Sequence, residues 1–440
     1  MKTLEHWKSR FTATPFTIEC SEMRLLTGRD HEPPVFVGPG HIDIRNSTEA
    51  EFKLFASPPL GAPAIERVFR AHSNPYEMLD QFRLFATDFE GTEWACGWIV
   101  PRMEGASKNG ALLTGKVTSL LTHVAAEWVS PESGVELLFQ PAFQLPMASS
   151  MLTIHSIGGE EIERSWQPGK HTLTLLRSTI EFFKEPTGDA LWATANSSTD
   201  LPHAFLENWL GEPFRILLGQ LIYPRLVARN LGDGSAQVWI RRSPRPIRNA
   251  SIGALLASEL APTAGRFWEL YVALLTMIAN TRNEEGTRNF EEHRVTRFYE
   301  EIIQASQGSR WVLCMTLASA AEGLAKLLMK PEDHTSEFGD AEVESMKKAI
   351  QAWKGNKGLK ARVLDEVSHF GKKSVSKFMR KLAEQGALES RHEDAWSSVR
   401  NKVMHGNLVA PWSSKEEDEQ IIALAELVHV LTRIMAGVNG

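Results

Sequence analysis

The stretch Arg241–Ser251, "RRSPRPIRNAS", sets two prolines and four arginines between two segments of different hydrophobic period. Proline fixes φ and removes a backbone donor, so Pro244 and Pro246 interrupt any regular element that reaches them. Upstream, apolar residues mostly alternate with polar ones, the period of a half-buried strand. Downstream they recur at three and four spacing, the period of an amphipathic helix. The expectation is an α+β, multidomain chain. A β-rich N-terminal domain over residues 1–250 is followed by an all-α helical bundle over 251–440.

The upstream half reads as short strands and turns. "HIDIRNSTEAEFKLFA" (41–56) alternates, and "LFATDFEGTEWACGWIVP" (84–101) reads as two strands joined around Glu90 and Gly91. "GVELLFQPAF" (134–143), "HTLTLLRSTIEFF" (171–183) and "AQVWIRR" (236–242) continue the pattern. One helix is expected to interrupt it. "LPHAFLENWLGEPF" (201–214) has apolar positions at Phe205, Trp209 and Leu210 and a stop at Gly211. Downstream, helical spacing recurs in eight stretches, of which "SRWVLCMTLASAAEGLAKLLM" (309–329) and "HEDAWSSVRNKVMH" (392–405) matter most below. Pro331 is expected to close the first of these. The bundle should hold five to eight helices.

Composition narrows the function classes. Hydrophobic content of 42% and charged content of 23% are those of a globular protein. The longest apolar run, "FWELYVALLTMIA" (267–279), is interrupted by Glu269 and is too short for a bilayer, so no membrane partner is expected. The first residues, "MKTLEHWKSRF", carry no apolar signal core. Three scattered cysteines (Cys20, Cys96, Cys314) give neither a disulfide framework nor a zinc pattern, which suits a reducing, cytoplasmic setting. The motifs H-E-x-x-H and G-x-S-x-G do not occur, and no metal or cofactor is called for. "GALLTGKVT" (110–118) approaches the phosphate-binding G-x-x-x-x-G-K-[ST] pattern. It fails at Val117, where a hydroxyl is needed, and its polar approach "RMEGASKN" is no buried strand, so a hairpin loop is expected.

The net charge of −6 hides a local excess of the other sign. From Lys347 to Lys381 eleven basic residues face only Asp365 and Glu366, a balance suited to a polyanion because phosphate contacts carry most sequence-independent affinity. The RNA-binding candidates are Lys372, Lys373, Lys377, Arg380 and Lys381, with Lys402 further on. "VLDEVSHFGKKSVSKFMRKLAEQGAL" (363–388) loosely follows a helix-turn-helix with Gly371 at the turn. A solvated basic helix face gives the same pattern.

The chemistry-bearing candidate is "VRNKVMHGN" (399–407), which sets Arg400 and His405 five positions apart. The spacing alone is cheap. "RNFEEHR" (288–294) and "RVFRAH" (67–72) repeat it, and composition predicts about one Arg-x4-His by chance. Requiring Asn after Arg and Gly after His lowers the expectation to roughly 0.002. Only the 400–406 copy passes, and the other two are read as coincidences. At about 100° per residue the pair stands about 140° apart on a helix, within reach of a shared phosphate for a long guanidinium. Histidine moves protons at neutral pH, and arginine offers a planar fork to phosphate and its transition state. Asn401 could orient the arginine or touch phosphate. These are parts for metal-independent RNA cleavage by the RNA's own 2′-hydroxyl. One histidine is half of the acid and base that the reaction uses, and a two-fold dimer pairing the last helices would supply the other half. In the alternative reading, Arg400 bonds helix-end carbonyls and His405 is a C-terminal residue favoured by the helix dipole.

"RNKVMHG", near the end of a helical second half, resembles the R-x4-H signature of HEPN ribonuclease domains, with Asn401 as the polar residue that follows the arginine. "WVLCMTLASAAEGLAKLL" (311–328) is similar to the helix of such domains that carries an acidic residue facing the site, here Glu322. The β-rich half with "PHAFLENWLGEPFRILLGQ" (202–220) resembles the N-terminal domain of ApeA-like anti-phage proteins, which precedes an ApeA-like HEPN domain. The resemblance implies a homodimeric, metal-independent endoribonuclease that halts growth on infection. Transfer RNA is among its implied targets, and the N-terminal domain senses a phage-derived trigger or restrains the nuclease. Two rivals stand beside it: a non-catalytic HEPN module that binds RNA or protein, and a toxin silenced by a partner antitoxin.

Overall fold

The computed structural model describes residues 3–12, 15–29, 31–46, 48–57, 62–74, 76–107, 109–147, 150–155, 161–167, 169–185, 189–244, 251–256, 264–283, 285–288, 292–330, 339–369, 375–404, 406, 412 and 414–438. The upstream region runs α1 (Thr3–Thr12), β1 (Phe16–Thr27), β2 (Phe36–Ile44), β3 (Ala50–Ala56), α2 (Ala62–Ser73), β4 (Phe82–Asp88), β5 (Glu93–Ile99), β6 (Arg102–Ser107), β7 (Gly110–Lys116), β8 (Ser119–Ala125) and β9 (Gly134–Phe139). It continues with β10 (Ser150–His155), β11 (Glu161–Gln167), β12 (Lys170–Leu175), β13 (Ser178–Lys184), β14 (Leu191–Asn196), α3 (His203–Trp209), α4 (Glu212–Leu218), β15 (Leu226–Asn230) and β16 (Ser235–Arg241). Among the described residues eight α-helices follow: α5 (Ala264–Asn280), α6 (Arg294–Ala305), α7 (Arg310–Leu328), α8 (Asp340–Ala352), α9 (Lys357–His369), α10 (Val375–Glu384), α11 (Ser390–Met404) and α12 (Lys415–Met435).

Fourteen strands form one antiparallel sheet in the order β12-β13-β14-β9-β15-β16-β8-β5-β4-β1-β2-β3-β7-β6, and β10 pairs with β11 separately. The two halves of the large sheet meet at a single residue pair, Ala95 opposite Leu121. Alternation along the strands explains what each face does. On β14, Leu191, Ala193 and Ala195 join the apolar cluster shared with the helices, while Trp192 joins the cluster of the proximal strands and α1. The first cluster is continuous from β9, β13 and β14 through α3 and α4 into the C-terminal helices. The change of period at Arg241–Ser251 is therefore a change of secondary structure within one packed core.

Several local expectations needed correction. "LPHAFLENWLGEPF" forms two helices: α3 ends at Trp209, and Pro213 sits in the first turn of α4, where its missing N–H costs nothing. Two further helices, α1 and α2, interrupt the β-rich region, and α2 carries the Arg67/His72 copy. The stretch "HIDIRNSTEAEFKLFA" spans the end of β2 and all of β3. "GALLTGK" is strand β7, paired with β3 and β6, rather than a hairpin loop. Among the described residues, the helix long and apolar enough to cross a membrane by composition is α7, not the 267–279 stretch. In this fold α7 is the central bundle helix, packed on α6, α10, α11 and α12. Pro331 and Gly371 lie outside the described residues.

Candidate functional site

Helices α7 and α11 cross at the point where the sequence placed its site residues. Trp396, Val399 and Val403 recur at three and four spacing on α11 and are all buried. Their stripe seats α11 on α7 and α12. Trp396 Nε1 donates to the Ala318 carbonyl of α7 at 3.3 Å, which fixes the register of the two helices at the site. One turn further along each helix, Arg400 Nε donates to Glu322 Oε2 at 3.0 Å.

The pair is partly exposed, with the Arg400 side chain 40% and the Glu322 side chain 25% accessible. Lys326, one turn below on α7, bonds the other carboxylate oxygen of Glu322 at 2.8 Å. Burial by itself pushes the Glu322 carboxyl up, but hydrogen bonds from Lys326 and Arg400 outweigh it and hold the group below the usual carboxylate range. The Arg400 guanidinium also lies 5.5 Å from the Trp396 ring centroid, a cation–π contact at i,i−4. Two contacts thus hold Arg400, and Lys326 holds the carboxylate that makes one of them. Glu322 engages it through Nε, and the terminal nitrogens are the donors a phosphate would take.

Of the other expected site residues, Asn401 and Lys402 are exposed on α11 beside Arg400. His405 follows Met404, the last residue of α11, and lies outside the described residues, as do Lys372 and Lys373. Lys377, Arg380 and Lys381 are exposed on α10, the helix that packs against both α7 and α11. Arg380 stands 3.8 Å from Glu393 of α11. Helix α9 packs on α8, while α10 packs on α11 and α7. Lys326 and the contact of the Trp396 ring with Arg400 were missed in the sequence. Their signal was i,i+4 spacing, from Glu322 to Lys326 and from Trp396 to Arg400.

The two rival Arg-x4-His copies have structural partners. In α2, Arg67 pairs with Glu32 at 2.8 Å and His72 Nε2 donates to the Pro101 carbonyl at 2.9 Å. In the other copy, Arg288 Nη1 donates to the Asp200 carbonyl at 2.9 Å, and His293 caps α6 by accepting from the Val295 N–H through Nδ1 at 3.2 Å. Its Nε2 lies 3.0 Å from Thr281 Oγ1. Burial, then the Arg294 charge, lowers its pKa to about 4, so the ring is neutral and fully engaged.

Beside His293 lies a pocket of about 710 Å³, lined by Thr281, Arg282, Glu292, Trp209 and Met277 among others. Behind it Arg215, 4% exposed, sits between two carboxylates, 2.7 Å from both Glu292 and Glu300. Tyr223 donates to Glu300 at 2.5 Å, and Glu212 accepts from Thr296 at 2.6 Å. One guanidinium shared by partly buried carboxylates leaves burial dominant at Glu292, whose pKa rises to about 8. This network locks α4 to α6. Among the described residues, no three His, Cys, Asp or Glu side chains gather as a metal centre would need. Comparison with family models, with curated proteins and with solved structures finds no match to this chain.

Proposed function

We propose that the chain is a HEPN-type endoribonuclease, cytoplasmic and acting as a homodimer, that cuts RNA through the RNA's own 2′-hydroxyl. The observation that carries this reading is the contact between Glu322 and Arg400. Two residues 78 positions apart, both expected in one site from the sequence, hydrogen-bond across α7 and α11. Glu322 and Trp396 hold the guanidinium so that its terminal nitrogens meet the phosphate and the charge that grows on it in the transition state. His405, one residue past the end of α11, takes or gives the proton. The 2′-oxygen attacks the adjacent phosphorus, the bond to the 5′-oxygen breaks, and the leaving oxygen receives a proton. The products are a 2′,3′-cyclic phosphate and a 5′-hydroxyl. The second proton-transfer group comes from the partner's copy of the motif. In this reading the β-rich region is the sensor of a phage-derived trigger, and cleavage of RNA, transfer RNA included, halts growth.

End-mapping of RNA from cells expressing wild-type and His405→Ala protein tests the reading. Wild type should leave cyclic phosphate and 5′-hydroxyl ends, and His405→Ala should leave none while remaining folded and dimeric. Undiminished cleavage by His405→Ala in EDTA overturns the assignment.

The ion pair also favours a second reading, a non-catalytic RNA- or protein-binding module, because Glu322 already offsets the charge of Arg400. Salt-sensitive RNA binding by a pure dimer that cuts nothing would select it. A toxin silenced by a partner antitoxin would instead cut RNA only once that partner was removed.

A further inference from the structure

Helices α8 and α9 pack on each other as a hairpin, and among the described residues neither packs as extensively on any other element. Val343 on α8 and Val367 on α9 are buried at its foot, whereas every residue from Gln351 to Leu359 is exposed. Ten residues of helix separate Val343 from Trp353, so the tip stands about 15 Å beyond the foot. Between residues 345 and 364 there are six basic residues and no acidic one. Lys348, Lys354, Lys357 and Arg362 among them are exposed. Large apolar side chains are normally withdrawn from such a surface, yet Trp353 is 46% exposed at the end of α8. Its indole lies against Gly355, where any added Cβ would collide with the ring. Lys360 bonds the carbonyls of Gln351 and Trp353, which ties the start of α9 to the end of α8. The tip is thus an ordered turn that presents one aromatic ring among cations.

We propose that this hairpin is an RNA-gripping arm. Trp353 stacks on an unpaired base, and Lys354, Lys357 and Arg362 hold the flanking phosphates. An aromatic ring interleaved with cations is the chemistry that single-stranded nucleic acid uses, since every base offers a π-face and every nucleotide a negative charge. An anionic membrane fits less well, because the turn "KGNKG" (354–358) places cations and an amide at the tip, where insertion would need apolar groups. The arm rests on the RNA reading above and adds a contact away from Arg400, so that substrate is held independently of the cleavage step.

The test uses the full chain and a fluorescent, single-stranded 2′-O-methyl RNA, which the proposed chemistry cannot cut, with anisotropy read across a salt series. Trp353→Ala should weaken binding about tenfold and leave the salt slope unchanged. The double variant Lys354→Ala/Lys357→Ala should lower the slope by about 1.4, at about 0.7 per phosphate on a single strand. Thermal melts should match the parent, since all three side chains are exposed at the tip. Parent-like RNA binding by both variants overturns the arm and leaves the nuclease reading intact. A parent that binds no RNA overturns both. Arm-dependent binding to phosphatidylserine vesicles, with RNA binding unaffected by the variants, overturns the arm in favour of a membrane surface.

Discussion

Glu322 Oε2 accepts a hydrogen bond from Arg400 Nε at 3.0 Å, and through it α7 sets the position of the arginine on α11. A partly exposed ion pair contributes little stability, about 0.5 kcal/mol, because water screens it and two long side chains lose freedom. Its removal should therefore be nearly silent in unfolding. Glu322→Ala is expected to shift the urea midpoint slightly and to lower RNA cleavage by about 10–100-fold through loss of positioning. Glu322→Gln keeps an acceptor for Nε and should lie between that variant and wild type. Equal cleavage by wild type and Glu322→Ala would show that the bridge is structural only.

Arg400→Lys separates charge from geometry. Lysine retains the cation but lacks the planar fork, the Nε–H that reaches Glu322 and the flat face over Trp396. Cleavage should fall by about 10²-fold, the scale for losing a preorganised donor to a transition state. RNA affinity, set mainly by total phosphate contact, should change by less than about threefold. Comparing single-turnover rates with anisotropy-derived affinities measures both.

Much of the C-terminal helical pattern was legible because local spacing determined it. Trp396, Val399 and Val403 stand at the three and four spacing of a buried helix stripe, and the structure seats that stripe on α7 and α12. The contact between Glu322 and Arg400 was not legible from spacing, since no local rule relates residues 78 positions apart. Helix α1 shows the same limit at the other end. Leu4, Trp7 and Phe11 form its buried stripe, but its N-terminal N–H groups are capped from the sheet, where the Glu136 carboxylate accepts from Thr3 and Leu4. A helix without a local cap gives no start signal. No local spacing in "EPFRILL" singles out Arg215, and only the fold places it between two carboxylates.

Gly323, beside Glu322, gives a test of packing under the site. A Cβ there would collide with the end of the Phe298 ring on α6, so the two helices approach closely at that point. In wild type, Gly323→Ala should destabilise by about 1 kcal/mol as overpacking outweighs the helix-propensity gain. In a Phe298→Ala background the collision is gone, and the same substitution should stabilise by about 0.8 kcal/mol. A double-mutant cycle by urea denaturation measures this reversal of sign, and additive effects would show that Phe298 swings aside freely.

Neighbouring Glu292 and His293 should titrate against each other in stability. His293 accepts from the Val295 N–H through Nδ1, and protonation would turn that acceptor into a donor facing a donor. Its folded pKa is lowered by burial, then by Arg294, to about 4, against about 6.5 in the unfolded chain. Between those values the unfolded state binds the extra proton, so the contribution of His293 is present above about pH 6.5 and is lost as pH falls towards 4. Glu292 has the opposite sign. Burial raises its folded pKa to about 8, so the native state holds a proton that the unfolded chain releases near pH 4.3. Its contribution is present below that value and is lost as pH rises towards 8. His293→Asn, which keeps a good N-cap acceptor, should flatten the acid limb of a urea-midpoint curve measured from pH 4 to 8. Glu292→Gln should flatten the alkaline limb and leave the acid limb in place. Parallel curves for wild type and both variants would show that neither group titrates within its stated window.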